Sequence, residues 1–166
     1  MKKILALLFI SVLFISAGER ADAFAKGHEA ETGEEALKWY QKALSLCSES
    51  DKIPRAWAYN NIGFVYVKDS KWDEALLWLE KAVKEDENNH LAWNNIGIAL
   101  ENIGFMKGKD FRTKAGKNVT GEAAADPEKE YLQKALQAYE KSVKLKPEEQ
   151  KYKINKLRVE SLLQVK

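Results

Sequence analysis

AWAYNNIGFVYVKDSKWDEALLWLEKAVKEDENN, which runs from Ala56 to Asn89, is the stretch that decides the fold. The residues that follow it, HLAWNNIGIALENIG, restart the same pattern 34 positions later. Recurrence at a fixed period of this size indicates an array of structural units, each of which buries its apolar face against the next. The residues that recur are Ile62 as Ile96, Gly63 as Gly97, and the pair Asn60-Asn61 as Asn94-Asn95.

Apolar residues within the unit have helical spacing. Tyr59, Ile62, Gly63 and Tyr66 lie at i, i+3, i+4 and i+7, which is one face of a helix. A second stripe of Ala75, Leu79 and Ala82 predicts a partner helix. Glycine and alanine allow two helices to approach closely while the larger residues fill the flanks. The unit is therefore predicted to be a helix pair, about 53–68 and 71–85, with Ser70 and Asp73 capping the second helix.

The 34-residue period and its aromatic, Leu/Ile, Gly, Tyr and Ala positions resemble the tetratricopeptide repeat. The resemblance implies an all-α fold, a short right-handed superhelix of stacked antiparallel helix pairs that ends in a capping helix. Thr32 with Glu35 predicts a capping box at the start of the helix that carries Ala36, Tyr40 and Ala43. The predicted units are a signal peptide at 1–23, a half repeat at 24–47, a repeat at 53–89, an interrupted repeat at 90–147 and a capping helix at 148–166.

The interrupted repeat follows the pattern through Trp93, Ile96, Gly97 and Leu100 and resumes it only at Ala135. Its first helix is predicted to end at Gly104, and its second helix to run from Pro127 to Leu145. The intervening insertion, about 105–125, is rich in Lys and Gly and has no clear periodicity, so it is predicted to be mobile or partly ordered. A partner-contacting arm is the alternative for this insertion.

The N-terminus resembles an export signal. Lys2 and Lys3 precede an apolar run from Ile4 to Ser16, and Ala21-Asp22-Ala23 is a small-residue cleavage site. The apolar run is shorter than the roughly 20 residues of a membrane-spanning helix. The mature chain is expected to start at Phe24, with residues 24–31 frayed, and to be periplasmic or secreted in a bacterium. An uncleaved anchor is the alternative.

The composition favours binding over catalysis. The 27 basic and 25 acidic residues nearly balance and give no electrostatic case for nucleic acid. His28 and His90 are the only histidines and show no metal-ligand spacing. Cys47 is the only cysteine, which excludes an internal disulfide and leaves a small buried residue or a link between two chains as its alternatives. The expected protein has no catalytic residues, no cofactor and no metal.

The family resemblance places the first helix of each repeat along a concave groove. The resemblance also implies that Asn61 and Asn95 hold the backbone of an extended protein segment. A carboxamide suits this role because it can satisfy a peptide unit whatever its side chain. The same asparagines could instead bond across adjacent helices. The predicted groove residues are Trp57, Asn60, Asn61, Phe64, Val67, Lys68, Leu91, Asn94, Asn95, Ile98, Glu101 and Asn102.

Two functions remain open from the sequence. The first is a non-enzymatic scaffold or adaptor of the bacterial envelope that binds a protein or peptide in the groove, without membrane insertion after signal cleavage. The second is a structural subunit of an envelope complex or homo-oligomer, assembled through its edges, the insertion or the capping helix. Trp39 and Trp78 fall at equivalent positions of second helices and are predicted to pack between repeats.

Overall fold

The computed structural model describes residues 2–115 and 127–164, with side-chain surroundings for residues 16–113 and 127–164. This part of the chain is all-α and contains no strand. None of its helices is both long and apolar enough to cross a membrane. The helices are α1 (Lys2–Glu29), α2 (Gly33–Ser45), α3 (Lys52–Lys68), α4 (Trp72–Glu85), α5 (His90–Ala115), α6 (Pro127–Leu145) and α7 (Gln150–Gln164).

Each helix packs mainly against the next helix along the chain, and α3 also contacts α5. The predicted pair over 53–85 is present as α3 and α4, with bounds within one residue of the prediction. A Cβ on Gly63 would lie 2.6 Å from Leu79 of α4, and one on Gly97 would lie 2.5 Å from the Tyr139 ring of α6. The two glycines therefore mark equivalent close contacts within successive pairs.

One of the two predicted caps is present and the other is wrong. The Thr32 side chain accepts a hydrogen bond from the Glu35 amide at 3.2 Å, as expected for the start of α2. Ser70 does not cap α4, because it lies at φ 59° and ends α3 instead. The Ser70 amide bonds to the Val67 carbonyl and the Lys71 amide to the Tyr66 carbonyl, which is the Schellman arrangement.

The prediction that residues 24–31 fray is wrong, because α1 continues to Glu29 and packs against α2. Ala23 is 1% exposed, and a Cβ on Gly27 would lie 2.5 Å from the Tyr40 ring. Arg20 donates to the Asp51 carboxylate at 3.1 Å. In the full chain α2 thus has a complete partner helix, where the sequence predicted a half repeat.

The predicted end of α5 at Gly104 is also wrong, because the helix continues to Ala115. A Cβ on Gly104 would lie 3.0 Å from Tyr131, and one on Gly108 would overlap the Glu128 side chain, so both glycines face α6 closely. Glu128 is 3% exposed and accepts a hydrogen bond from Arg112. The first half of the predicted insertion is therefore helical, while residues 116–126 lie outside the described part. The second helix runs from Pro127 to Leu145, as predicted.

The helix that ends the array, α7, leaves two large apolar side chains exposed. Tyr152, Asn155 and Val159 are its buried residues, whereas Ile154 and Leu157 are each 61% exposed. The outward position of Leu157 follows from the register, because it stands where α3 and α5 have the glycine that faces a following helix. No helix follows in the described part of the chain, so nothing covers this face.

Candidate peptide-binding groove

The first helices of successive pairs line a groove of about 660 Å³. We call it the inner groove. Its lining includes seven of the predicted groove residues, and these come from α3 and α5. They are Asn60, Asn61, Phe64, Lys68, Leu91, Asn94 and Asn95.

Three of the four asparagines bond across neighbouring helices. Asn95 of α5 donates to the Asn60 carbonyl oxygen of α3 at 3.1 Å. Asn155 of α7 donates to the Asn94 carbonyl oxygen at 2.9 Å. The four residues in these two bonds, Asn60, Asn95, Asn94 and Asn155, are each 7% exposed or less. The alternative in which asparagines link repeats is therefore realised by Asn60, Asn94 and Asn95.

Asn61 differs from the other three because half of its amide is unused. Its oxygen accepts from the Asn60 nitrogen at 3.2 Å. Its own nitrogen is buried and has no hydrogen-bond partner within the described residues. A buried donor without a partner costs about 1–3 kcal/mol, so the site is one in which an added acceptor would be stabilising. A peptide carbonyl oxygen is such an acceptor.

Large apolar side chains lie next to this amide. Phe64 and Leu91 are each 44% exposed and both line the inner groove. Trp57 is 53% exposed and lies one helical turn before Asn60 and Asn61, outside the lining of the cavity itself. The groove thus combines exposed apolar side chains with an unpaired amide donor just beneath its surface, which suits an uncharged, extended chain.

The remaining predicted groove residues contact the rest of the fold and do not line the inner groove. The prediction for Val67 is wrong, because its side chain belongs to the apolar core with Leu79 and Ile96. Ile98 packs against two core clusters, and Asn102 donates to the Ile98 carbonyl at 2.8 Å. Glu101 is 4% exposed and accepts from Arg158 and from the Tyr139 hydroxyl, so it joins α5 to α6 and α7.

Two walls of the inner groove were missed by the sequence analysis. His28 and Tyr40 form one wall, with the hydroxyl 3.0 Å from the histidine Nδ1, and Lys151 and Tyr152 of α7 form the other. The first wall was missed because residues 24–31 were expected to fray. The second could have been found from the register, since Lys151 stands where α3 has Trp57 and α5 has Leu91.

No cluster of three or more potential metal ligands occurs in the part of the chain that the structure describes. Burial raises the pKa of the Cys47 thiol, which disfavours the reactive thiolate, and the thiol donates to the Ala43 carbonyl.

Comparison with known proteins agrees with this architecture. Residues 23–85 match the sequence profile of the tetratricopeptide repeat. The fold is similar to that of the TPR domain of Arabidopsis OM64, with a TM-score of 0.61 at 16% identity over 89% of this chain and 96% of that chain. Residues 23–85 are therefore a tetratricopeptide-repeat region, and the described chain has the fold of a TPR domain. The profile begins at Ala23, so it includes the part of α1 that pairs with α2.

Relatives of this chain occur in photosynthetic organisms. The protein Ycf37 of Guillardia theta is 35% identical over 78 residues, which cover 46% of this chain and 44% of that protein. The photosystem I assembly protein Ycf3 of Prochlorococcus marinus (strain MIT 9301) is 27% identical over 113 residues, covering 68% and 57%. The matched region thus spans about half the length of these relatives. Tetratricopeptide repeats generally mediate protein–protein interaction, and proteins of this fold are typically non-enzymatic interaction modules.

Proposed function

We propose that the chain is an adaptor that binds an extended segment of another protein in the inner groove. The observation that carries the proposal is the Asn61 amide nitrogen, which is buried beside the groove and has no hydrogen-bond partner in the described chain. A rotation of the Asn61 side chain would bring this nitrogen to the groove surface, where a main-chain carbonyl of the bound segment would accept from it. Phe64 and Leu91 would contact the apolar side chains of that segment. Backbone recognition of this kind suits an adaptor, because it requires few particular residues in the partner.

The relatives support the same class of function. Ycf3 of Prochlorococcus marinus is named as a photosystem I assembly protein. We extend this general role to the present chain: it holds a partner segment during assembly of a multiprotein complex. The exposed Phe64 and Leu91 give the groove the apolar surface that a reversible, non-covalent interaction of this type requires.

Site-specific photo-crosslinking in cells tests the proposal. A photoreactive phenylalanine analogue at position 64 lies in the inner groove, and the same analogue at position 77 is a matched control on α4. Both native residues, Phe64 and Leu77, are exposed apolar side chains. We expect a discrete crosslinked product from position 64 only, because only that position faces the bound segment.

The variant Asn61→Asp tests whether the Asn61 amide nitrogen is the donor to the bound segment. The new carboxylate keeps an acceptor for Asn60 but replaces the free N–H with an oxygen that repels a peptide carbonyl. We expect the crosslink at position 64 to weaken at least about tenfold, the effect of about 1.4 kcal/mol. Asn88→Asp, in an exposed turn, is the matched control and should leave the crosslink unchanged. Crosslinking that is insensitive to Asn61→Asp, with unchanged thermal unfolding, would contradict the proposal.

A structural subunit remains the second candidate, and one observation favours it. Ile154 and Leu157 form an uncovered apolar edge at the end of the array. In this case a photoreactive residue at position 157 would give the crosslinked product, while position 64 would give none.

The proposal includes the compartment. The apolar run after Lys2 and Lys3 and the Ala21-Asp22-Ala23 site support export to the periplasm or outside the cell. Cell fractionation with N-terminal sequencing tests this. Recovery of a chain that begins at Phe24 from the exported fraction is the expected result, a retained Met1 in the membrane fraction indicates the anchor, and a cytosolic chain contradicts export.

A further inference from the structure

A second recess lies on the face of α5 opposite to the inner groove. It has a volume of about 600 Å³ and lies between α4 and α6, with α5 as its floor. Trp93 and Leu100 of α5 and Tyr131, Lys134, Ala138 and Lys141 of α6 are among its lining residues. We call it the outer recess.

The repeat before it has a tryptophan at the corresponding place. Trp78, three residues after Ala75, packs against Tyr59 with ring centroids 5.8 Å apart and an interplanar angle of 34°. The Lys81 ammonium lies 4.1 Å from the centre of the Trp78 ring. Trp78 also packs against the core cluster that includes Ala36 and Tyr40, so it fills the space between two helix pairs.

The next repeat has an aromatic ring and a lysine at the positions that flank the Trp78 indole, but it has no tryptophan between them. Trp93 stands in the register position of Tyr59, and Lys141 in that of Lys81, with its ammonium 6.0 Å from the Trp93 ring centre. The position of Trp78 is taken by Ala138, three residues after Ala135. The outer recess is therefore the space of a missing tryptophan, bounded by an aromatic ring and a cation.

We infer that the outer recess binds an aromatic side chain, best a tryptophan, from an acidic segment of a partner protein. The occupied site at Trp78 shows which chemistry fits between the aromatic ring and the lysine, and a bound indole would stack on Trp93 beneath Lys141. Such an aromatic anchor in a pocket is typical of the residues that dominate binding energy in protein interfaces.

Charge at the rim favours carboxylates beside the anchor. Lys141 makes a cation–π contact with Trp93 and no ion pair with any described residue. Lys134 is bound to Glu130 at 2.6 Å, and Glu80 is the acidic residue on the opposite wall. Lys141 is thus the cation that a partner carboxylate would meet. The chain's own segment 116–126 has no aromatic residue to fill the space.

Nuclear magnetic resonance on the full chain tests this inference. The probe is the peptide acetyl-Glu-Asp-Trp-Asp-Glu-amide, observed through the Ala138 methyl group and the Trp93 indole N–H. We expect saturable shifts of both signals. The peptide with alanine in place of tryptophan should bind at least tenfold more weakly, and the peptide with lysines in place of the acids several-fold more weakly.

Variants separate this site from the inner groove. Ala138→Trp should fill the recess from within and reduce peptide affinity at least tenfold, with thermal unfolding unchanged or higher. Lys141→Glu should weaken binding several-fold, whereas Lys144→Glu, an exposed residue in the last turn of α6, is its matched control and should not. If Ala138→Trp does not fold, the comparison of peptide binding by Lys141→Glu and Lys144→Glu tests the inference. Equal binding to both lysine variants, non-saturable shifts, or shifts confined to Asn61 and Phe64 would overturn the inference.

Discussion

Gly97 shows at the scale of one residue how closely the helices approach. A Cβ there would lie 2.5 Å from the ring of Tyr139, which is fully buried and held by Glu101, so the ring has no free path away. We expect Gly97→Ala to reduce the free energy of unfolding by about 1–3 kcal/mol. Gly18→Ala in α1 is the control, because nothing lies within 4 Å of its Cβ and it should stabilise the helix by about 0.5–1 kcal/mol. Urea unfolding measures both, and equal effects would contradict the packing argument.

The backbone of Ser70 is strained. It adopts φ 59°, a left-handed conformation that glycine reaches without cost. We expect Ser70→Gly to stabilise the protein by about 0.5–1 kcal/mol, and Ser70→Ala, which keeps the strain, to give no gain. Thermal unfolding of the two variants provides the comparison, and a destabilising Ser70→Gly would show that the hydroxyl matters more than the conformation.

At the scale of elements, one buried carboxylate contributes to the attachment of α7 to the array. Arg158 donates to both Glu101 oxygens at 2.8 and 2.7 Å, and the Glu101 side chain is 5% exposed. Arg158→Ala leaves that carboxylate with the Tyr139 hydroxyl alone and should cost about 1–3 kcal/mol in urea unfolding. Lys156→Ala removes a more exposed pair with Glu160 and should cost about 0.5 kcal/mol or less. Equal costs would mean that the pair between Arg158 and Glu101 contributes no more to stability than the exposed pair does.

The role of α1 is an element-scale prediction as well. Arg20 bonds to Asp51, Ser16 donates to the Leu46 carbonyl at 3.2 Å, and Ala23 is buried against α2. A chain that starts at Phe24 loses all three contacts, while one that starts at Ser16 retains them. We expect the shorter chain to be less stable by about 1–3 kcal/mol, measured by thermal unfolding. Equal stability would show that the first pair does not depend on residues 16–23.

For the whole molecule, stability should depend on pH through His90. Burial and the nearby Lys146 lower the pKa of this histidine, against the opposing Glu148 and Glu149, and its Nδ1 lies 2.7 Å from the Tyr152 hydroxyl. Burial raises the pKa of Tyr152, so its hydroxyl keeps the proton that it donates to neutral His90. Because the unfolded chain binds the proton more readily, stability is retained above the ordinary histidine pKa of about 6.5 and is lost as the pH falls below it.

Chemical unfolding between pH 8 and pH 5 measures this dependence. We expect a decline in the free energy of unfolding below about pH 6.5 that is shallower in His90→Gln, which keeps an acceptor for Tyr152 but does not titrate. An identical decline in both proteins would assign it to other groups.

The 34-residue spacing and the Gly63/Gly97 and Ala75/Ala135 pattern by themselves determined the helix pairs, their order and their close contacts. These features follow from local periodicity and from the space that a small residue leaves, both of which can be read along the chain. Only the tertiary structure decided the length of α1 and α5, which depends on the contacts of Ala23 and Gly108 with neighbouring helices. The tertiary structure also decided the roles of the asparagines. Whether an amide bonds across helices or remains free for a ligand is set by side chains distant in sequence. Asn60 and Asn61 are adjacent and chemically identical, and only the position of Asn95 on α5 distinguishes a structural link from a candidate binding residue.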